Sequence, residues 1–126
     1  MTSSLVGSEM CIRDRIMSYG MDLIRDGEVL QDSIYALDSS LNELRTFPID
    51  PMVSVYENYR LYPMAVLGKA TLMSAVERRE SRGAHFRKDF PGEKSEFMKC
   101  SVAEFKDERI RIYFEQESGE KGGAVR

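Results

Sequence analysis

Leu30, Ile34, Leu37, Leu41 and Leu44 recur at steps of four, three, four and three residues, the apolar seam of a helix packed against other helices. Upstream, Ile16, Tyr19, Leu23 and Ile24 share one side of a helical register, and Gly27 suits the end of that helix. Downstream, Val55, Tyr59, Tyr62, Val66, Ala70, Met73 and Val76 repeat with a helical period within residues 52–82. Pro63 falls inside this third run and predicts a kink, or two abutting helices, near Leu61 to Pro63. Phe47-Pro48-Ile49-Asp50-Pro51 separates the second and third regions, since neither proline can continue a helix interior. Beyond Pro91 and the polar stretch 92–96 the period changes to two. Ile110, Ile112 and Phe114 alternate with Arg109, Arg111 and Tyr113, which predicts a hairpin with arms at 97–105 and 109–115. The pattern as a whole predicts a mainly α fold: a three-helix bundle over about 16–83 with a short C-terminal β-hairpin.

Both ends of the chain fall outside this pattern. Leu5 to Arg15, LVGSEMCIRDR, has no hydrophobic period and resembles the translation of a transposase adapter used in sequencing libraries. Residues 1–15 are therefore expected to be a non-native tail that buries nothing, with the folded domain at 16–116. Residues 117–126 are rich in glycine and charge and are expected to be a flexible tail. Setting 1–15 aside leaves Cys100 as the only cysteine, so no intramolecular disulfide is expected.

Composition mainly excludes. The chain has 126 residues, enough for one domain, and 42% are hydrophobic and 31% charged, as in ordinary globular proteins. A net charge of -3 argues against a nucleic-acid partner, although five basic residues lie between Arg78 and Lys88. No apolar run approaches the ~20 residues of a membrane-spanning helix. One histidine and two distant cysteines do not make a metal site. No phosphate-binding loop, dinucleotide fingerprint or catalytic triad is present; Gly68-Lys69-Ala70-Thr71 only echoes the first of these.

The block with most chemical content is Glu80-Ser81-Arg82-Gly83-Ala84-His85-Phe86-Arg87-Lys88-Asp89-Phe90-Pro91. Helix termination accounts for part of it: Gly83 at a positive-φ position after the third helix, with Arg78, Arg79 and Arg82 near the carbonyl end of the dipole. A functional alternative has Arg82, His85 and Arg87 facing an anionic partner such as a carboxylate or pyrophosphate. His85 has the intrinsic pKa of a general acid or base, but no nucleophile or orienting carboxylate accompanies it in sequence. A packed or interface histidine is the simpler reading.

This block resembles the C-terminal signature of the flavoprotein subunits of succinate dehydrogenase and fumarate reductase, and of L-aspartate oxidase. Phe97-Met98-Lys99-Cys100 is similar to a further element of that family, with cysteine in place of its histidine. The resemblance implies a C-terminal helical domain whose motif residues Glu80, Ser81, Arg82, Gly83, His85, Arg87 and Asp89 serve structural or interdomain roles. It implies a truncated fragment of an FAD-dependent oxidoreductase subunit, inactive alone, which buttresses a missing flavin domain. FAD would belong to the parent subunit, with no cofactor, catalytic residue or metal ligand in this chain. The implied partners are the flavin-binding domain of the same subunit and an iron–sulfur subunit. The implied location is cytoplasmic, peripheral to the inner face of the membrane in the parent complex. The alternative from another class is a free-standing helical protein-interaction module.

Overall fold

A computed structural model describes residues 5–46, 51, 52 and 54–116, with side chains from Met10 onward. Three helices and two small sheets make up the described chain: α1 (Leu5–Gly20), β1 (Ile24–Arg25), α2 (Gly27–Thr46), α3 (Val55–Glu77), β2 (Phe86–Arg87), β3 (Cys100–Lys106) and β4 (Arg109–Glu115). The fold is thus mainly α, with an antiparallel strand pair at its C-terminal end. The Pro48–Pro51 break and the tail at 117–126 fall largely or wholly outside the described residues.

The leucine seam of α2 is the centre of the core. Leu30, Leu37 and Leu41 are buried with Ala65, Leu72 and Ala75 of α3, while Ile34 and Leu44 pack at the margin. Asp26 starts α2, its Oδ1 accepting from Glu28 N at 3.0 Å. That satisfies one of the donors a helix leaves bare at its first turn. Ser54 does the same for α3, its Oγ accepting from Glu57 N at 3.2 Å.

The first helix ends earlier than its apolar spacing predicts. It stops at Gly20, and Tyr19, Leu23 and Ile24 are exposed, while Ile16, Met17 and Met21 meet the core. Asp22 Oδ1 accepts from Leu23 N at 2.7 Å, a local bond that competes with helix continuation. Ile24 and Arg25 then pair in parallel with Phe86 and Arg87, a contact some sixty residues away. Gly27 consequently opens α2 and ends nothing. At its other end α1 runs through Arg15 without a break. Met10 and Arg13 lie beside Glu57, Arg60, Leu61 and Met64 of α3, so the expectation that residues 1–15 bury nothing fails at these two positions.

The third helix is one continuous element of 23 residues in which Pro63 does not divide the chain. It has two apolar faces. Leu61, Ala65, Gly68, Leu72 and Ala75 are buried in the bundle. Tyr62, Val66 and Ala70, part of the expected stripe, also line a groove of about 300 Å³ with Ala103, Phe105 and Ile110 of the hairpin, Tyr62 and Val66 packing at the core margin as well. Val55 and Tyr59 of that stripe are exposed. The hairpin itself is in register from Cys100↔Glu115 to Lys106↔Arg109. Its first strand begins three residues later than predicted, because Ser95–Phe97 form a 3-10 turn. Asp107 and Glu108 close it with φ of 49° and 61°, the signature of a type I′ turn.

Candidate functional site

The segment after α3 folds as a chain of tight turns around two buried ions. The helix stops at Glu77, and Gly83 is not its cap. Instead Arg82 and His85 exchange backbone hydrogen bonds (Arg82 N to His85 O, 2.8 Å; His85 N to Arg82 O, 3.0 Å), closing a two-residue turn in which Gly83 has φ 58°. A residue with a Cβ resists that conformation, so the glycine expected for a positive φ has it, but in a reverse turn.

Glu80 is the first of the buried ions, with 0% of its surface exposed. Its Oε1 accepts from Arg78 Nη1 at 2.8 Å and Arg82 Nε at 3.0 Å. Its Oε2 accepts from Arg82 Nη2 at 3.2 Å and the Lys94 backbone N–H at 2.9 Å. Burial alone would raise the carboxyl pKa, but the bonds from Arg82, Lys94 and Arg78 outweigh it and hold it at about 2 against an ordinary 4.5. Arg78 continues outward: its guanidinium donates to Phe97 O at 2.7 Å, Lys99 O at 2.5 Å and Ser101 Oγ at 3.0 Å, and lies over the Phe114 ring. The end of α3 is thereby tied to the hairpin.

Arg87 is the second buried ion, 3% exposed. Its Nη1 donates to the Ala75 and Val76 carbonyls at 3.1 and 2.6 Å, at the C-terminal end of α3 where bare carbonyls and the dipole favour a cation. Its Nε and Nη2 grip Asp89 at 3.0 and 2.5 Å. Asp89 Oδ2 in turn accepts from Gly27 N at 3.2 Å, at the N-terminal end of α2 where an anion is favoured. One ion pair therefore joins two helix ends of opposite polarity. A side chain at Gly27 would meet it, since a Cβ there lies 2.6 Å from Arg87 Nη2. Ser81 locks the turn from inside: its Oγ donates to Phe90 O at 2.7 Å and accepts from Arg87 N at 2.9 Å.

His85 is half-buried between two arginines. Arg25 Nη1 lies 2.7 Å from Nδ1, and because a guanidinium only donates, Nδ1 is the acceptor. Nε2 then carries the proton and donates to Arg78 O at 3.1 Å. Burial lowers the imidazole pKa, and the charges of Arg25, Arg87 and Arg78 lower it further against the opposing Arg78 carbonyl contact. The histidine is neutral at pH 7 and holds the α1–α2 connection to the end of α3.

Sequence reasoning singled out Glu80, Ser81, Arg82, Gly83, His85, Arg87 and Asp89, and the structure brings them together. Arg82 is paired with Glu80 and Glu93, and Arg87 with Asp89, all of the same chain. Arg25, Arg78 and Asp26 were not singled out as site residues; Asp26 also pairs with Lys88 at 2.9 Å. Asp26 was readable as an N-cap before the leucine seam, whereas Arg25 carries no local signal. Arg78, Arg82, His85, Phe97, Met98, Lys99, Cys100 and Gln116 border an open cleft of about 630 Å³. Among the described residues no buried side-chain nitrogen or oxygen lacks a partner, and no cluster of metal-ligating residues occurs. The cleft residues do not fit a flavin: the guanidiniums facing the cleft are bonded to Glu80 and backbone carbonyls, and among the described residues no glycine-rich turn precedes a helix to cradle a pyrophosphate. No step of a flavin reaction is assigned to them. Among the described residues no helix is long and apolar enough to cross a membrane.

A three-helix bundle closed by an arginine–carboxylate network defines a small, mainly α-helical domain. Residues 13–120 match the model of the fumarate reductase flavoprotein C-terminal family, and the chain belongs to that family. It is 29% identical over 83 residues to an uncharacterized FAD-dependent oxidoreductase of Methanocaldococcus jannaschii, covering 66% of this chain and 15% of the relative. It is 50% identical over 38 residues to an L-aspartate oxidase of Pyrococcus horikoshii, covering 30% of this chain and 8% of the oxidase. The flavoprotein chain of an Escherichia coli quinol fumarate reductase shares the fold, with a TM-score of 0.76 at 21% identity over 90% of this chain and 21% of that one. The chain thus spans between about a twelfth and about a fifth of the length of the relatives it matches.

Proposed function

We propose that this chain acts as the C-terminal buttress of an FAD-dependent oxidoreductase of the succinate, fumarate or L-aspartate type. In this reading it stiffens a flavin-binding domain and contributes no reacting group. The observation that carries the reading is the network around Glu80 and Arg87: every charge of the family motif is neutralised within the chain, as a scaffold requires and a catalytic centre does not. FAD and the substrate then belong to the flavin-binding domain, and an iron–sulfur subunit is a further partner of the assembled enzyme.

The test supplies the 126-residue chain in trans to the Methanocaldococcus jannaschii oxidoreductase shortened by its matching segment. Co-expression should raise the FAD retained and the thermal midpoint of the shortened protein, and leave turnover per bound flavin unchanged. Arg82→Ala in the chain should weaken the rescue of flavin retention without altering turnover per flavin. A collapse of turnover at normal flavin content would show that Arg82 is catalytic and would refute the buttress. So would stoichiometric FAD binding by the chain alone.

A further inference from the structure

Glu80, Ser81 and Arg87 of the motif are buried, while Phe86 between them is displayed outward. β1 and β2 pair in parallel with Ile24 opposite Phe86 and Arg25 opposite Arg87. Residues paired across a ribbon share a face. Arg25 and Arg87 lie on the inner face, bonded to His85, Asp89 and the end of α3. Ile24 and Phe86 lie on the outer face, 64% and 41% exposed, and Leu23 beside them is 83% exposed. Two short parallel strands with an apolar face in water are unusual, because parallel pairing occurs almost only where both faces are covered. Two strands alone are also marginal without something packed upon them.

We infer that the outer face of this ribbon, Ile24 and Phe86, with the exposed Leu23 beside it, is the surface on which the flavin-binding portion of the enzyme seats. The inference rests on the buttress reading and adds to it the place of contact. The occupant follows from the family match. The matching model describes the C-terminal part of a flavoprotein, and about four-fifths or more of each related chain lies outside the match. The ribbon is also where the start of α2 and the end of α3 converge, through Asp89–Gly27 and Arg87–Val76. A contact there loads both helices at once. A second exposed apolar feature, the α3–hairpin groove with Leu67 and Phe105, reaches the motif only indirectly, through Arg78 at Ser101.

The same co-expressed pair tests the surface. Ile24→Ser with Phe86→Ser should weaken the association by about tenfold or more, as loss of central apolar anchors does at interfaces. Leu67→Ser with Phe105→Ser should leave it within about twofold of the unsubstituted chain, as for residues outside a contact. Both doubly substituted chains should keep the helicity of the original. Hydrogen exchange on the unsubstituted pair reads the contact without any substitution, and amides at 22–26 and 84–88 should slow on association. Slowing at the α3–hairpin groove instead, or an association insensitive to Ile24 and Phe86, would overturn the ribbon as the seat and leave the buttress standing. No association at all would overturn the buttress, and this inference with it.

Discussion

Replacing Glu80 by alanine should destabilise the chain by about 3 kcal/mol, since removing one partner of a buried ion pair typically costs 3–5 kcal/mol. The lower end applies because the Arg82 side chain is 31% exposed and already reaches Glu93 at 3.5 Å, so its charge can be partly rehydrated. Arg78 keeps its carbonyl partners Phe97 and Lys99, but the Lys94 N–H loses its acceptor, which adds to the cost. Spread over a domain of this size, the loss corresponds to a fall in thermal midpoint of roughly 10–20 °C. Calorimetry and urea titration on the two chains measure it. The titration supplies an internal control. The folded Glu80 pKa lies at about 2, below its ordinary 4.5, so the unfolded chain binds the proton more readily between these values. The stability Glu80 contributes is therefore complete above about pH 4.5 and is lost as pH falls toward 2. Glu80→Ala should flatten that part of the stability–pH profile. A midpoint change under about 3 °C, with an unaltered acid limb, would refute the account of Glu80 as the electrostatic centre of the motif.

Three further outcomes are expected. His85 has a pKa below its ordinary 6.5, so the unfolded state binds its proton first and stability should decline as pH falls through about 6.5; His85→Gln should remove that limb, read by urea midpoints between pH 5 and 8. Gly27→Ala should cost about 1–3 kcal/mol, because the added methyl overlaps Arg87 Nη2 and Asp89 Oδ2, both locked in place; a neutral result in thermal melts would contradict this geometry. Replacing Asp107-Glu108 by Asn-Gly should stabilise the chain by about 1 kcal/mol, since both positions have positive φ and Glu108, unlike aspartate, rarely adopts it; a lower midpoint would exclude a type I′ turn there.

Elements whose cause is local are legible in the chain before any fold is known. The leucine seam placed α2 because burial of one helical face needs only a period, and the alternation at Ile110, Ile112 and Phe114 placed β4 for the same reason. The residues of the motif are legible too, since a run of arginines and carboxylates around a glycine and a histidine is visible without a fold. Tertiary structure decided what those residues do. The spacing of Ile16, Tyr19, Leu23 and Ile24 suggested one helix, yet pairing of Ile24 and Arg25 with Phe86 and Arg87 turned that segment into a strand. Gly27 and Gly83 were both expected at helix ends; one opens a helix beneath Arg87 and Asp89, and the other makes a reverse turn. In sequence Arg82 reads as a cation at a helix end, and the alternative has Arg82 and Arg87 facing an external anion. Folding brought Glu80 and Asp89 to them, because a buried charge is tolerable only when paired, and which acid pairs with which base depends on three-dimensional distance rather than on order along the chain.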